Sequence, residues 1–462
     1  MAITVMQFLK ITILGRVLGP EVFGVIAITL ILIELGGVFI KTGLSQAIIQ
    51  KSNPTKNELS SLYWLNVFLG IIIFILFYLA SPLVAHLFDM PILRKVIPVI
   101  SLAFLYTPFG IQIQTLSEKQ LEFKTITYID IISVFITVFI AIISAIKFEL
   151  GIWSLVLGHL GGQFVRTFML VYYGFKIGVR PGFYFNLNEI KPYLSFGFFR
   201  VLAMTANYFN SKIDQVVIGS ILGTTTLGYY SMASNIVKQP VAKLTPIITR
   251  VGFPAFSQVK DNIEKLKKGY LDSISFVMLI ISPILFGIIV VADEAVIVLL
   301  GEEWLKTIPL IKILALNALF RSIGGASSSI ILAKGHADWS FYWNIGLLFI
   351  YPPIIIIVSK IGDIFTIAWS LVLLQCLLFF INYFLRLRKI LGRFLYLKLK
   401  IILQPIIISA VMACTVFLFS YLIPEKFNIN ALLALKIIIG FITYFLLVMI
   451  LKFEQIKTLL IR

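Results

Sequence analysis

The sequence predicts an all-α polytopic membrane protein with about 14 transmembrane helices, arranged as two six-helix lobes followed by two C-terminal helices. Three observations lead to this fold class. Hydrophobic residues make up 60% of the chain and charged residues only 13%, whereas soluble domains are about 45–50% apolar and about 25% charged. Long apolar stretches follow one another, each sufficient to cross a hydrocarbon layer roughly 30 Å thick. A ten-residue motif also occurs twice, 204 positions apart.

The first lobe (1–174) and the second lobe (191–385) are each expected to hold six helices. Each predicted helix is a continuous apolar run rather than the alternating ten-residue pattern of a membrane β-barrel. A cytoplasmic crossover is predicted at 175–190, and a basic amphipathic linker at 386–400 precedes the last two helices and a short tail (401–462). The predicted helices are 2–18, 22–48, 59–88, 96–117, 126–146, 152–174, 191–221, 227–255, 270–300, 308–332, 339–359, 363–385, 401–423 and 430–451.

The repeated motif reads GRVLGPEVFG at residues 15–24 and GSILGTTTLG at residues 219–228. Both copies fit G-x-x-L-G-x-x-x-φ-G, where φ is Phe23 or Leu227, and each copy ends one apolar segment and opens the next. Matching segments of this kind in two halves are typical of transporters built from internal repeats. Because each lobe has an even number of helices, the two lobes enter the membrane in the same direction. The motif therefore predicts a two-lobed transporter whose repeat axis runs along the membrane normal.

The formal net charge is +18, and its placement predicts the orientation. Basic residues concentrate in loops on the side of the N-terminus, a bias that places both termini in the cytoplasm. The basic stretches 257–269 and 386–400 fit either helices lying on the inner leaflet or solvated loops. We attribute the charge to topology and anionic lipids, not to nucleic acid. Cys376 and Cys414 have neither metal-ligand spacing nor a disulfide framework, so no metal or cofactor is expected.

Polar residues recur inside five predicted helices at spacings that align them on one helix face. A charge at the bilayer centre costs at least ~2.5–3.5 kcal/mol, so it is expected only beside a cavity or a partner. These stripes therefore predict a polar cavity within the helix bundle. The stripes are Glu34, Lys41 and Ser45; His159, Gln163 and Arg166; Arg200, Asn207, Ser211 and Asp214; Ser231, Asn235, Lys238, Thr245 and Thr249; and Asn317, Arg321, Gly324 and Ser328.

Cations outnumber anions among the membrane charges that we identify, which predicts a cavity suited to an anionic headgroup. Arginine is well matched to phosphate because its planar fork donates two parallel charge-assisted bonds. For Arg16, Lys41 and Arg200, the alternative is snorkelling to the membrane surface. The candidate anion ligands are Arg16, Lys41, Arg166, Arg200, Lys238 and Arg321, and the candidate carboxylates for coupling or ion pairing are Glu34 and Asp214.

The repeat offset suggests one specific ion pair. Adding 204 to Glu34 gives Lys238, so opposite charges occupy equivalent positions in the two halves. A two-fold axis along the membrane normal would place them at equal depth on facing helices. The alternative is a pair within one lobe, between Glu34 and Lys41. In the pair between the lobes, an incoming diphosphate would compete with Glu34 for Lys238 and could favour one conformational state over the other.

Several segments resemble a known family. The run GRVLGPEVFGVIA from Gly15 to Ala27 resembles the opening of polysaccharide flippases in the multidrug/oligosaccharidyl-lipid/polysaccharide exporter superfamily. Other segments are similar to its lipopolysaccharide and O-antigen exporter branch, and the matches keep their order along the chain. These are GLSQAIIQ at 43–50, GIWSLV at 151–156, Phe196-Gly197, DQVVIG at 214–219, Leu222-Gly223, LGYY at 227–230, Phe253-Pro254, Phe256-Ser257, and Gly301 with Trp304.

The resemblance implies two six-helix lobes in a V around a central cavity. It also implies a flippase that moves an undecaprenyl-diphosphate-linked oligosaccharide to the outer leaflet of the cytoplasmic membrane without hydrolysing it. The implied pathway is the synthesis of O-antigen, capsule or exopolysaccharide. The implied partners are that lipid, membrane lipids, a polysaccharide polymerase and glycosyltransferases. Similar proteins have a longer first helix that is preceded by a basic segment. Here the first apolar run begins at Met1 and is shorter.

Two alternatives of the same superfamily stay open, an ion-coupled multidrug antiporter and a lipid II flippase. An antiporter would be expected to have carboxylates dominating its cavity. A membrane glycosyltransferase or ligase is disfavoured, because those enzymes need catalytic carboxylates in a large outer loop and the predicted outer loops are short.

Overall fold

The computed structural model describes residues 2–50, 54–179, 181–424 and 427–460, without the side chains of 41–44, 46, 47, 50, 192, 194–200, 203, 245–251, 337 and 451–460. All regular elements in these ranges are helical. Within them, 9 helices are long and apolar enough to cross a membrane, or up to 10 if one bent pair of helices forms a single span. The predicted fold class, an all-α polytopic membrane protein, is therefore confirmed.

The helices follow the predicted apolar runs, with different boundaries. The predicted helix at 96–117 is divided into α3, α4 and α5 and bends by 50°, and the one at 308–332 is divided into α10 and α11. The observed helices are α1 (Ala2–Gln50), α2 (Lys56–Leu87), α3 (Leu93–Ser101), α4 (Ala103–Tyr106), α5 (Pro108–Lys119), α6 (Phe123–Ile146), α7 (Ile152–Lys176), α8 (Leu187–Gln258), α9 (Ile263–Leu299), α10 (Thr307–Ser322), α11 (Gly324–Ala333), α12 (Ala337–Ile361), α13 (Ile364–Asn382), α14 (Arg388–Leu391), α15 (Leu395–Tyr421) and α16 (Ile429–Leu460).

Helices α1 and α8 each contain two of the predicted helices, joined at a glycine of the repeated motif. Gly19 has φ 66° and ψ 173°, and Gly223 has φ 80° and ψ 178°. Glycine adopts positive φ at little steric cost, whereas a side chain would strain the backbone there. The two motif copies thus produce the same sharp kink at equivalent positions.

The chain divides into two compact units. Unit 1 comprises residues 1–228 with 347–352, and unit 2 comprises 229–346 with 353–462. In unit 1, α6 packs closely on α7 because small residues face it; a Cβ on Gly158 would lie 2.7 Å from the Ala141 Cβ. In unit 2, α9 packs on α10, α15 and α16, and the hydroxyls of Ser282 and Ser409 lie 2.9 Å apart at the α9–α15 contact. The predicted lobe boundaries stay predictions.

The predicted crossover is tied to the start of α2. The Trp64 indole donates to the Gly182 carbonyl over 2.9 Å, and the Asn186 backbone N–H donates to the Ser61 hydroxyl over 3.0 Å. The rings of Trp64 and Phe183 stack with centroids 5.6 Å apart. The segment therefore follows the surface of α2, with its backbone groups partly satisfied by side chains of that helix.

Neither basic stretch forms one separate surface helix. In the stretch 257–269, α8 ends at Gln258 and α9 already begins at Ile263. In the stretch 386–400, a π-helical turn at Tyr383–Leu387 leads into α14, and α15 begins at Leu395. Gly392 between them has φ 77°, which ends the helix because continued helical backbone requires negative φ. The long helices thus extend into both stretches.

Candidate functional site

Unit 1 contains a cavity of about 490 Å³ with several polar side chains in its lining. Its polar lining consists of Glu34 from α1, Thr107, His159 and Gln163 from α7, and Tyr208 from the first half of α8. The remaining lining is apolar. His159 and Gln163 lie four residues apart on α7, so their spacing places both on the cavity side of that helix. A few polar groups in an otherwise apolar concavity are typical of ligand sites in proteins.

Glu34 is the charged centre of this cavity. Its Oε2 lies 3.0 Å from the Lys212 ammonium and 3.3 Å from the Tyr208 hydroxyl. That hydroxyl also lies 2.6 Å from the Ile31 carbonyl oxygen. The side chains of Lys212 and Glu34 are 26% and 50% exposed, so the pair is open to exchange with a ligand. Tyr208 and Lys212 are four residues apart on α8 and reach Glu34 from the same helix face.

A second ion pair lies further along α7. The Arg166 Nε donates to the Asp130 carboxylate over 2.8 Å, and its Nη2 donates to the Gln114 side-chain oxygen over 3.0 Å. Gln114 in turn donates to Glu118 over 2.7 Å. This network joins α5, α6 and α7. The guanidinium is thus held by a carboxylate and an amide and is not part of the cavity lining.

The other predicted site residues occupy varied positions. Arg16 on α1 and Arg321 on α10 are exposed, and Lys238 on α8 is partly buried. Asp214 is buried, and the Gln215 backbone N–H donates to its Oδ1 over 2.9 Å. The side chains of Lys41 and Arg200 lie outside the described residues. The pairing of Glu34 with Lys238 would join the two units and stays a prediction.

Sequence reasoning missed several acidic partners. It counted only Glu34 and Asp214 as membrane carboxylates, yet Asp130 pairs with Arg166 and also lies in an apolar run. In unit 2, Lys312 pairs with Asp293 over 2.7 Å, and Lys436 pairs with Glu294 over 2.6 Å. The excess of cations over carboxylates in the helices is therefore smaller than predicted, because charges removed from water need partners. The available signal was an acidic residue within an apolar run, either alone, as Asp130 is, or in an adjacent pair, as Asp293 and Glu294 are.

Sequence comparisons identify the family. Residues 13–309 match the family described as polysaccharide biosynthesis protein. The chain belongs to this family. It is 34% identical over 383 residues to the lipopolysaccharide biosynthesis protein WzxC of Escherichia coli (strain K12), which covers 83% of this chain and 77% of WzxC. It is 30% identical over 464 residues to the teichuronic acid biosynthesis protein TuaB of Bacillus subtilis (strain 168), which covers 100% of this chain and 95% of TuaB.

Solved structures show the same fold. The lipid II flippase MurJ in an inward closed conformation matches with a TM-score of 0.81 at 16% identity, covering 98% of both chains. An inward-facing multidrug resistance MATE family transporter of the MOP superfamily matches with a TM-score of 0.69 at 14% identity, covering 84% of this chain and 94% of the transporter. These likenesses confirm the predicted helical membrane fold, and the family match confirms the expected relation to polysaccharide biosynthesis proteins.

Proposed function

We propose that the chain is a flippase that moves a polyprenyl-diphosphate-linked oligosaccharide from the inner to the outer leaflet of the cytoplasmic membrane. The observation that carries this proposal is the Glu34–Lys212 pair, which is half-open to a polar cavity inside a helix bundle of the exporter fold. The family relation supports a role in surface polysaccharide synthesis. WzxC and TuaB are named for different polysaccharides, so the feature that substrates share is expected to be the lipid diphosphate.

The proposed mechanism is ion-pair exchange. In the substrate-free protein, Lys212 is held by Glu34 and Arg166 by Asp130. A diphosphate entering the bundle would compete with these carboxylates, because it offers a cation more charge and more acceptor oxygens. Release of the carboxylates would change the relative stability of the conformational states, which is how a ligand drives alternating access. Arg16, Lys41, Arg200, Lys238 and Arg321 remain candidate ligands for the same group.

The carboxylates have a second proposed role in coupling. A Glu34 carboxylate released from Lys212 would be available to bind a coupling ion. We assign proton or ion coupling to Glu34 and, in the same sense, to Asp214. The sugar is expected to contact the uncharged polar groups Thr107, His159 and Gln163, which can exchange hydrogen bonds with hydroxyl groups.

The positive-inside bias supports a multi-pass protein of the cytoplasmic membrane with both termini inside. A polysaccharide polymerase and glycosyltransferases are proposed partners, since one must consume and the others must supply the lipid-linked oligosaccharide.

Two related functions have specific support. The Glu34 carboxylate in the cavity lining is the kind of group that an ion-coupled drug antiporter needs. A lipid II flippase is the other alternative, because the lipid II flippase MurJ has the same fold over 98% of this chain.

A reconstituted transport assay tests the proposal. Purified protein in liposomes would receive a fluorescent polyprenyl-diphosphate oligosaccharide, lipid II or a cationic dye. We expect the protein to move the lipid-linked oligosaccharide across the bilayer. The Lys212→Gln variant should lose this transport, and the Lys360→Gln variant should retain it. Lys360 is a matched exposed lysine at the end of α12. Transport of lipid II or of the dye in its place would support the corresponding alternative.

A further inference from the structure

Unit 2 contains a group of cations at the bend between α13 and α15 that have no carboxylate partner among the described residues. We call this group the basic bend; it consists of Arg386, Arg388, Lys389, Arg393 and Lys398. No ion pair between described residues includes any of the five. This differs from the cations elsewhere in the helices, several of which have an acid within 3.0 Å. The basic bend therefore has a positive charge that the described residues leave uncompensated.

Two of these cations are buried. Lys398 is fully buried, with its ammonium 3.9 Å from the centre of the Phe379 ring and 5.8 Å from that of Tyr383. Its Nζ has no hydrogen-bond partner among the described residues. Arg386 is 7% exposed, and its Nε likewise lacks a described partner. Cation–π contact offsets only part of the cost of burying a charge, so a nearby anion would be strongly stabilising.

A pocket of about 490 Å³ lies at the surface of the basic bend. It is lined by Arg388 and Arg393, both exposed, and by Tyr383, whose other neighbours include the Lys398 ammonium. The first residues of α15 complete the lining. This helix has no side-chain cap at Phe394, so its positive end adds to the attraction for an anion.

The pocket is held in shape by the chain around it. The Tyr383 hydroxyl accepts hydrogen bonds from the backbone N–H groups of Phe394 and Leu395, over 2.9 and 3.0 Å. The Arg386 guanidinium lies 5.1 Å from the Trp343 ring of α12 and donates to the Ser340 hydroxyl over 3.3 Å. These contacts connect α12, the π-helical turn after α13 and the start of α15, so the bend that carries the two exposed arginines is held by its neighbours.

The position of the pocket indicates a lipid ligand. It lies where two helices of membrane length, Ile364–Leu391 and Leu395–Tyr421, meet, and the ends of such helices lie at headgroup depth. Phe384, Tyr396 and Leu397 in the lining are 47%, 77% and 47% exposed, so apolar groups surround the cations. Aromatic and apolar side chains beside arginines are typical of a membrane interface.

We propose that the basic bend binds the phosphate group of a membrane lipid with a net negative charge, with Arg388 and Arg393 as the direct ligands. Two kinds of lipid have such a headgroup, an anionic phospholipid and a polyprenyl phosphate carrier. The site is built from unit 2 residues alone, and the inference does not depend on the proposed transport activity.

Binding can be measured by native mass spectrometry of the purified full chain with phosphatidylglycerol, phosphatidylcholine, polyprenyl phosphate or inorganic phosphate. Arg388→Gln with Arg393→Gln should weaken binding of the phosphate lipid about tenfold or more, because two charge-assisted contacts are lost. The control is Lys265→Gln with Lys268→Gln, which removes two exposed cations of α9 outside the pocket. It should change affinity by less than about twofold, since exposed charges outside a site contribute little.

The arms of the experiment separate the sources. If the protein prefers phosphatidylglycerol to phosphatidylcholine and the arginine variant loses this preference, the ligand is a phospholipid headgroup. If the protein binds polyprenyl phosphate more strongly than the phospholipids and the arginine variant loses that binding, the ligand is the carrier. Equal binding of both phospholipids and no binding of the carrier would overturn the proposal, as would inorganic phosphate competing as well as either lipid. The proposal would also be overturned if the arginine variant bound the lipid as tightly as the unaltered protein, or if the lysine control lost as much affinity as the arginine variant.

Discussion

Gly24 and Gly228 each pack against the backbone of the other copy of the repeated motif. A Cβ on Gly24 would lie 1.9 Å from the Thr224 carbonyl oxygen, and a Cβ on Gly228 would lie 1.9 Å from the Pro20 carbonyl oxygen. Pro20 and Thr224 are equivalent positions in the repeat, as are Gly24 and Gly228. The contact is therefore reciprocal, as a local two-fold axis between the two kinks requires.

Replacing either glycine should separate the two motif copies. Gly24→Ala and Gly228→Ala would each place a methyl group against main-chain atoms that cannot rotate away, at a cost of about 1–3 kcal/mol. We expect both variants to lower the melting temperature and surface polysaccharide export to a similar extent. Gly346→Ala on α12 is the control, because no atom lies within 4 Å of the position that its methyl group would take. If only one of the two glycine variants had a lower melting temperature and less export, the result would contradict the symmetric contact.

The pair between Glu34 and Lys212 should matter for transport more than for stability. Both side chains are partly exposed, and exposed ion pairs contribute only about 0–1 kcal/mol. Glu34→Lys and Lys212→Glu alone should abolish export while the melting temperature changes little. The double variant, which restores opposite charges, should recover part of the export. No recovery, with both proteins present in the membrane, would argue against a direct functional pair.

Asp130 and Arg166 test the exchange of a carboxylate for phosphate. Asp130→Asn leaves the guanidinium without its competing charge, so binding of a polyprenyl diphosphate should become tighter. Arg166→Gln should weaken the same binding about tenfold or more, because the charge-assisted donor is lost. Equilibrium binding to the detergent-solubilised protein measures both effects. If the two substitutions weaken binding equally, their pair is structural and the exchange mechanism is wrong at this position.

Adjacent acids on α9 predict different effects on stability. The side chains of Glu294 and Lys436 are 13% and 6% exposed, and removing one member of a buried pair costs about 3–5 kcal/mol. Glu294→Gln should therefore lower the melting temperature clearly and loosen α16 from α9. Asp293→Asn, in a pair that is 52% and 38% exposed, should cost at most about 1 kcal/mol. Similar melting temperatures for the two variants would show that burial does not strengthen the Glu294 pair.

The sequence by itself determined the helical membrane fold and the positions of the kinks at the two copies of the repeated motif. Apolar runs of sufficient length can satisfy their backbone groups in a membrane only as helices or closed barrels, and their continuous apolar pattern selects helices. The duplicated glycine motif located Gly19 and Gly223 at equivalent turns, because positive φ has a strong residue preference. Both properties depend on short stretches of chain, which can be interpreted without knowing what lies beside them.

Only the tertiary structure decided which charges meet. Spacing along α7 aligned Gln163 and Arg166 on one face, but it could not show that Asp130 on α6 lies opposite Arg166. Glu34 likewise pairs with Lys212 on α8, a partner that the repeat offset did not select. Helical periodicity specifies the face of a side chain, whereas its partner depends on the packing and rotation of another helix. Charges in a membrane interior acquire partners from distant segments. For this reason, only the folded chain showed that the described residues place no acid against the cations of the basic bend.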